Sequence, residues 1–309
     1  MSCVSSIFVA NFKNHITMKS LKDFFETELF DANAYKAYLR EIKAEKFVIS
    51  YNLLKNNKIL RTRIHKEGKV FETFNDLKYP PEESARTDRA SVEGKPMFYG
   101  SIFTHQSGEI FLPRVINLME TSDFFKDTKS MGGQFLTQSA WGNNRDLKLA
   151  LLPTSLSYKT PCDELIRMQK EYKTLAKKLG VDENRDAIYL GDMLAKENMG
   201  NTYKITAYFV DYLLNESDDK DYFDGIVYPS VPSEGLGLNI CIRKELIDSG
   251  EVECDGACFE VLIKKQMQSK LSQIFDAEIL PTGKLEWRNS KMFSEAIENP
   301  YLFPEMFSI

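Results

Sequence analysis

Residues 203–231, YKITAYFVDYLLNESDDKDYFDGIVYPSV, predict a helix followed by a strand. The helix occupies 203–215, and the strand is the short apolar run that stops at Pro229. A further strand is predicted at 236–242, LGLNICI. Helices and strands alternate in this way along the chain, but without the regular β-α-β repeat of a parallel sheet. We therefore expect a mixed α/β (α+β) fold whose β core is irregular, mixed or antiparallel, with surrounding helices and an N-terminal helical extension.

Upstream of this stretch the chain is strand-like. The alternation at 60–64, LRTRI, predicts a strand, and a Glu-Gly turn then leads into a second strand. Proline and charged residues fill 79–96, which predicts a long loop of the kind that often carries function. That loop runs into an aromatic strand at 97–103, MFYGSIF. Because residues two apart share a face of a strand, we expect Arg61 and Arg63 to point the same way.

The remaining elements are less evenly spaced. We predict a helix at 113–127, a central strand at 146–154 and a helix at 163–180 that ends at Gly180. From residue 259 onward strand-like and helical pieces are mixed, and no element is assigned.

The N-terminal part differs from the rest. Residues 18–46 have leucine and aromatic side chains at helical spacing, with a break near Asp31. An isolated amphipathic helix would leave its apolar stripe in water, so we expect these helices to pack on the core. We assign 1–55 to a helical accessory region and 56–309 to the main domain.

Composition argues against several classes of protein. The net charge is −5 and the pI is near 5.5, which disfavours a nucleic-acid-binding protein. The apolar runs fall short of the roughly 20 residues that span a bilayer, so no membrane partner is expected. The first residues lack the pattern of a signal peptide. We therefore expect a cytoplasmic protein.

The cysteines do not predict a metal site. There are five, at positions 3, 162, 241, 254 and 258, and they lack the paired short spacing of zinc ligands. The three histidines add little support, so we expect no bound metal. The Asp-Gly between Cys254 and Cys258 predicts a turn.

Two short blocks of sequence stand out as candidates for chemistry. In the first, Arg89 precedes a glycine by five positions, a proline by seven and a tyrosine by ten, which are Gly94, Pro96 and Tyr99. In the second, a strand ends in Pro-Ser and an asparagine comes shortly after, at Pro229, Ser230 and Asn239.

Together these blocks resemble the RES-domain family, named for its arginine, glutamate and serine. The resemblance covers roughly residues 57 to 255, and it marks 56–309 as a RES-like catalytic domain. The family resembles ADP-ribosyltransferases in fold. Its characterised members are toxins that deplete NAD+ by hydrolysis or phosphorolysis, usually held in check by an Xre-like antitoxin. The resemblance therefore implies an NAD+-consuming enzyme.

The resemblance also implies which residues form the site. The family arginine, tyrosine and serine fall on Arg89, Tyr99 and Ser230, and an upstream Arg-x-Arg strand falls on Arg61 and Arg63. The family glutamate follows an apolar helical run after the tyrosine. Glu120 is our choice for it, and Glu109 is the alternative. Asn239 joins the arginines and Tyr99 in the set that binds NAD+.

The chemistry of the reaction suits these residue types. Cleavage of the nicotinamide–ribose bond passes through a transition state with positive charge on the ribose, which a carboxylate such as Glu120 stabilises as it forms. Arginine pairs with pyrophosphate oxygens through two parallel hydrogen bonds, the role assigned to Arg89 and to Arg63 or Arg61. Tyr99 can stack on the substrate, and Ser230 can hydrogen-bond the carboxylate or a ribose hydroxyl.

Several alternatives stay open. NAD+ is the expected substrate and no permanently bound cofactor is expected, but the acceptor of the ADP-ribose could be water, phosphate or a macromolecule. A non-catalytic module that binds a nucleotide or a partner protein is the alternative from another class. Self-association into a homo-oligomer is also left open.

Overall fold

A computed structural model describes residues 20–65, 70–103, 111–179, 185–197, 199–265 and 268–290. The strands within these ranges are β1 (Ile49–Leu53), β2 (Lys58–Ile64), β3 (Met97–Ile102), β4 (Gly132–Asn143), β5 (Leu147–Leu151), β6 (Gly225–Pro229), β7 (Leu238–Arg243), β8 (Val252–Lys265), β9 (Gln268–Ile279) and β10 (Leu285–Asn289). The α-helices are α1 (Leu21–Glu26), α2 (Ala32–Glu41), α3 (Phe111–Thr121), α4 (Asp123–Lys126), α5 (Asp163–Leu179), α6 (Arg185–Leu194), α7 (Thr202–Asn215) and α8 (Lys244–Asp248).

All ten of these strands belong to one sheet, in the order β1-β5-β6-β7-β3-β2-β4-β8-β9-β10. The pair β5–β6 is parallel, and the other neighbouring pairs are antiparallel. The expected mixed α/β class with a largely antiparallel core is therefore confirmed. None of the described helices has both the length and the apolar character needed to cross a membrane.

Packing on both faces of the sheet explains why its central strands are so apolar. In β6, the side chain of Ile226 joins a cluster with helices α1, α2, α6 and α7, whereas Val227 joins a second cluster with α5 and α8. Every residue of β6 is buried, as expected for a strand covered by helices on both sides. Helices therefore cover both faces of the sheet at β6.

The elements with clear periodicity lie where the sequence predicts them. Helix α7, strand β6 with its end at Pro229, and strands β3 and β7 match the predicted ranges. Helix α5 also matches, although Gly180 lies outside the described residues. The predicted break near Asp31 separates α1 from α2, because the Asp31 carboxylate accepts hydrogen bonds from the first backbone N–H groups of α2.

Several other predictions were wrong. Strand β5 is second from the edge of the sheet rather than central. The second strand predicted after β2 is not formed: residues 70–73 are irregular apart from one bridge between Thr73 and Lys284. The turn predicted between Cys254 and Cys258 is instead a bulge inside β8, where Asp255 is skipped in the pairing with β4. From residue 259, where no element was assigned, the regular elements among the described residues are the rest of β8, β9 and β10.

The N-terminal helices pack on the core. Tyr35 and Leu39 of α2 are fully buried against α7, and Lys36 forms ion pairs with Asp211 and Glu216 at the same contact. Strand β1 lies within the segment assigned to the accessory region, yet it pairs with β5 as the edge of the common sheet. The described residues before position 56 are therefore joined to the main sheet.

Candidate active site

A cavity opens where two neighbouring strands separate. Strands β2 and β3 pair through only two residue pairs, Ile59 with Ile102 and Leu60 with Ser101. Beyond Leu60, β2 continues beside β4 and β3 continues beside β7, so the sheet splits. The resulting cavity has a volume of about 580 Å³, within the usual range for a small-molecule site. Gly100 lies at the branch point, where an added Cβ would be 2.8 Å from the carbonyl oxygen of Leu60.

Asn117 on α3 bridges the start of the split. Its Nδ2 donates to the carbonyl of Leu60 at 2.5 Å, and its Oδ1 accepts from the backbone N–H of Thr62 at 3.3 Å. These are backbone groups that β3 no longer pairs with, and buried backbone groups require such partners. The contact fixes α3 against β2, so that Glu120, one helical turn after Asn117, lines the cavity.

Glu120 is held by one of its two carboxylate oxygens. Nδ2 of Asn239, a buried residue on β7, donates to Oε1 of Glu120 at 2.6 Å. Oε2 has no hydrogen-bond partner among the residues that the structure describes. The arrangement leaves a carboxylate of fixed orientation in the wall of the cavity. The alternative carboxylate, Glu109, lies outside the described residues.

Arg89 is buried, and three of its five N–H donors are hydrogen-bonded within the protein. Its Nη1 donates to the carbonyls of Leu194 and Lys196, both at 2.7 Å, and its Nη2 donates to the hydroxyl of Tyr203 at 3.1 Å. The guanidinium also lies over the rings of Tyr203 and Tyr228, at 5.0 and 5.8 Å from their centroids. Of its five N–H donors, the one on Nε and one on Nη2 find no partner in the described ranges. These two form one edge that a phosphate or carboxylate could bind.

Arg61 and Arg63 both line the cavity, in keeping with their shared face of β2. All three nitrogens of the Arg61 guanidinium are bound to backbone carbonyls, those of Leu77, Tyr99 and Lys78. Burial, together with the neighbouring charge of Arg63, lowers the pKa of Arg61 to about 9, so it remains a cation at neutral pH. Arg61 therefore anchors the loop after β2 to β3.

Arg63 is the more available of the two arginines. Its Nη1 donates to the carbonyl of Asp76, and its guanidinium lies 5.2 Å from the ring centroid of Phe71. Within the described part of the chain, its Nε and Nη2 make no hydrogen bond. Burial lowers the pKa of Arg63, although Asp76 partly opposes this. Arg63 thus keeps more donors for a ligand than Arg61 does.

Tyr99 holds the loop that carries Arg89. Its hydroxyl donates to Oγ of Ser91 at 3.0 Å and accepts from the backbone N–H of Ala90 at 3.2 Å. Burial and the nearby Cys241 thiol raise the pKa of Tyr99, so the hydroxyl remains protonated at neutral pH. Its ring lines the cavity, where stacking on a ligand stays a prediction.

Ser230 is not brought to the carboxylate. It follows the last residue of β6, is fully buried, and does not line the cavity. Its Oγ has no partner among the described residues. The hydrogen bond to the carboxylate that we expected from Ser230 is made by Asn239, which we had expected to bind the substrate.

Other residues that the sequence did not single out as ligands also line the cavity, among them Asp88, Asn117, Tyr203 and Tyr228. Asp88 and Tyr228 are adjacent to residues of the two blocks, so proximity in sequence could have indicated them. Nothing in the sequence indicates a role in ligand binding for Tyr203, the second residue of α7, or for Asn117, which the sequence predicts only to be part of a helix. Only the tertiary arrangement brings these two to the cavity.

The described residues contain no group of three or more potential metal ligands. The four described cysteines, at positions 162, 241, 254 and 258, are free thiols. No family model matches the chain, and comparisons with curated proteins and with solved structures found no match.

Proposed function

We propose that this chain cleaves the nicotinamide–ribose bond of NAD+ and transfers the ADP-ribose to water or phosphate. The observation that carries the proposal is the Glu120 carboxylate, held by Asn239 in a cavity that also contains Arg63 and Arg89. The two sequence blocks on which the resemblance to the RES-domain family rests both contribute to this cavity, through Arg89, Tyr99 and Asn239. A likeness to ADP-ribosyltransferases in the arrangement of the split sheet is part of the same proposal.

The carboxylate suits the step that limits such a reaction. As the bond breaks, its electron pair moves to the pyridine nitrogen, so nicotinamide leaves as a neutral molecule and positive charge remains on the ribose. A fixed carboxylate stabilises this charge more than it stabilises the ground state, which lowers the barrier. An oxygen of water or phosphate then bonds to the ribose carbon, and water releases a proton. No general acid is required for the leaving group.

The arginines supply the complementary charge for the pyrophosphate. Arg63 has unused donors on Nε and Nη2, and Arg89 has one unused edge. Each charge-assisted hydrogen bond to phosphate contributes about 1.5–3 kcal/mol to binding. Because each of the three guanidinium nitrogens of Arg61, Nε included, already donates to a backbone carbonyl, whereas Nε of Arg63 and of Arg89 does not, we assign pyrophosphate binding to Arg63 and Arg89 and a structural role to Arg61.

The test is release of nicotinamide from NAD+ by the purified full chain, measured with and without phosphate. The Glu120→Gln variant should lower kcat about 10²- to 10³-fold, as loss of a group that stabilises transition-state charge does. Glu171→Gln on α5, which removes only an exposed pair with Arg167, is the matched control and should match wild type. Release that requires phosphate would identify phosphorolysis.

Other outcomes would favour the alternatives. A folded wild-type protein that releases no nicotinamide with either acceptor would overturn hydrolysis and phosphorolysis. Labelled ADP-ribose on a macromolecule would then favour transfer, and tight nucleotide binding without turnover would favour a binding module. The proposal extends to an intracellular toxin restrained by an Xre-like antitoxin, for which wild type but not Glu120→Gln should arrest growth on expression.

A further inference from the structure

A buried serine is hydrogen-bonded to Asn239, the residue that holds the Glu120 carboxylate. Ser101 on β3 is 1% exposed, and its hydroxyl donates to Oδ1 of Asn239 at 2.7 Å. The other end of the same amide, Nδ2, donates to Oε1 of Glu120 at 2.6 Å. The three side chains therefore form one continuous chain of hydrogen bonds that ends at the cavity.

We infer that Ser101 is a positioning residue for the reaction at Glu120. Its hydroxyl binds the acceptor end of the Asn239 amide, which directs the donor end toward the carboxylate. The inference rests on the proposed function, because it concerns the orientation of the carboxylate in that reaction. Ser101 itself is not among the residues that line the cavity.

The chemistry of an amide explains why the hydroxyl matters. An asparagine side chain has a donor end and an acceptor end, and only the donor end can bind a carboxylate. Without Ser101, Oδ1 of Asn239 would be a buried acceptor that has lost its partner, since Asn239 is 4% exposed. That loss favours any rotation of the amide that finds another donor, and Glu120 would then lose its support.

The position of Ser101 in the sheet supports the same role. Ser101 pairs with Leu60 on one side and with Asn239 on the other, so it lies in the last row of residues before β2 and β3 separate. The carbonyl of Leu60 in that row also binds Asn117, which docks α3. Residues of this one row therefore hold both helix α3, through Asn117, and the Glu120 carboxylate, through Asn239.

The test is a double-mutant cycle in the full chain with Ser101→Ala, Asn239→Ala and the combination, using nicotinamide release to measure kcat and KM. Ser101→Ala should lower kcat about tenfold, the effect of one hydrogen bond, while KM for NAD+ changes by no more than about twofold. In the Asn239→Ala background Ser101→Ala should have no further effect, because it acts through that amide.

Two further variants keep the test decisive. Ser217→Ala is the matched control: the hydroxyl of this buried serine donates to the carbonyl of Leu213, and its loss should leave kcat and KM unchanged. If Ser101→Ala fails to fold, Ser101→Cys retains a weaker donor of similar size and should give a kcat between those of wild type and Asn239→Ala.

The outcomes separate this inference from the proposed function. Active wild type with an unchanged kcat in Ser101→Ala, or an equal loss in both backgrounds, would overturn the positioning role and leave the function standing. Equal losses in both backgrounds with a lowered melting temperature would mark Ser101 as merely structural. A folded wild type that does not cleave NAD+ would overturn both.

Discussion

Replacing Asn117 with alanine should destabilise the protein by about 2–4 kcal/mol. The change removes partners from two buried backbone groups, the carbonyl of Leu60 and the N–H of Thr62. Each such group costs about 1–3 kcal/mol when it is left unsatisfied, and partial access of water from the cavity places the sum in the lower half of the resulting range of about 2–6 kcal/mol. A typical domain has a total stability of about 5–15 kcal/mol, so the loss would be large.

The assay is urea unfolding followed by tryptophan fluorescence, with Trp141 as the buried reporter in the core. Asn117→Asp is the informative companion, because it keeps an acceptor for Thr62 but places a carboxylate against the carbonyl of Leu60. It should be at least as destabilising as alanine. Asn52→Ala, at an exposed site on β1, is the control and should stay within about 0.5 kcal/mol of wild type. A loss below that value for Asn117→Ala would refute the reasoning.

Two more predictions concern charged groups. Arg63→Ala should raise KM for NAD+ about tenfold with kcat near wild type, as expected when pyrophosphate binding is weakened. Arg61→Ala should chiefly lower the stability measured in urea. The reverse pattern would contradict the roles that we assign to the two arginines. Burial alone would raise the pKa of Asp211, but the hydrogen bonds that its carboxylate accepts from Lys36 and Lys95 hold this pKa below its usual value. The carboxylate therefore stabilises the fold above a pH of about 4, and this stabilisation is lost as pH falls. Asp211→Asn should therefore be less stable than wild type at neutral pH, and the difference, measured by urea unfolding at each pH, should shrink as pH falls below about 4. A difference that does not depend on pH would contradict this prediction.

The sequence predicted the elements whose patterns are local. Helix α7 and strand β6 were recognisable because apolar spacing and the stop at Pro229 are properties of neighbouring residues. Strand β4 was missed because three consecutive buried residues in it are polar: Thr137, Gln138 and Ser139. Their partners come from distant parts of the chain, including the ring of His65 and the guanidinium of Arg114. No local pattern reveals that such residues are internal.

The site was predictable to a similar degree. Strand alternation was enough to place Arg61 and Arg63 on one face. It did not reveal that all three guanidinium nitrogens of Arg61 would donate to backbone carbonyls. The choice of Asn239 over Ser230 as the partner of Glu120 depends on where α3 crosses the split sheet. That crossing is fixed by Asn117, whose contacts with Leu60 and Thr62 are invisible in the sequence.

The split of the sheet has a consequence for how the chain can be divided. Strands β1, β5, β6, β7 and β3 form one half, and β2, β4, β8, β9 and β10 form the other. The chain passes from one half to the other between β1 and β2, β2 and β3, β3 and β4, β4 and β5, and β7 and β8. The halves share few ladder hydrogen bonds, but neither is a continuous stretch of polypeptide, because the chain crosses between them five times. A single cut in the gene therefore cannot yield two fragments that each carry one intact half, and the cleft between them can form only when most of the chain has been synthesised.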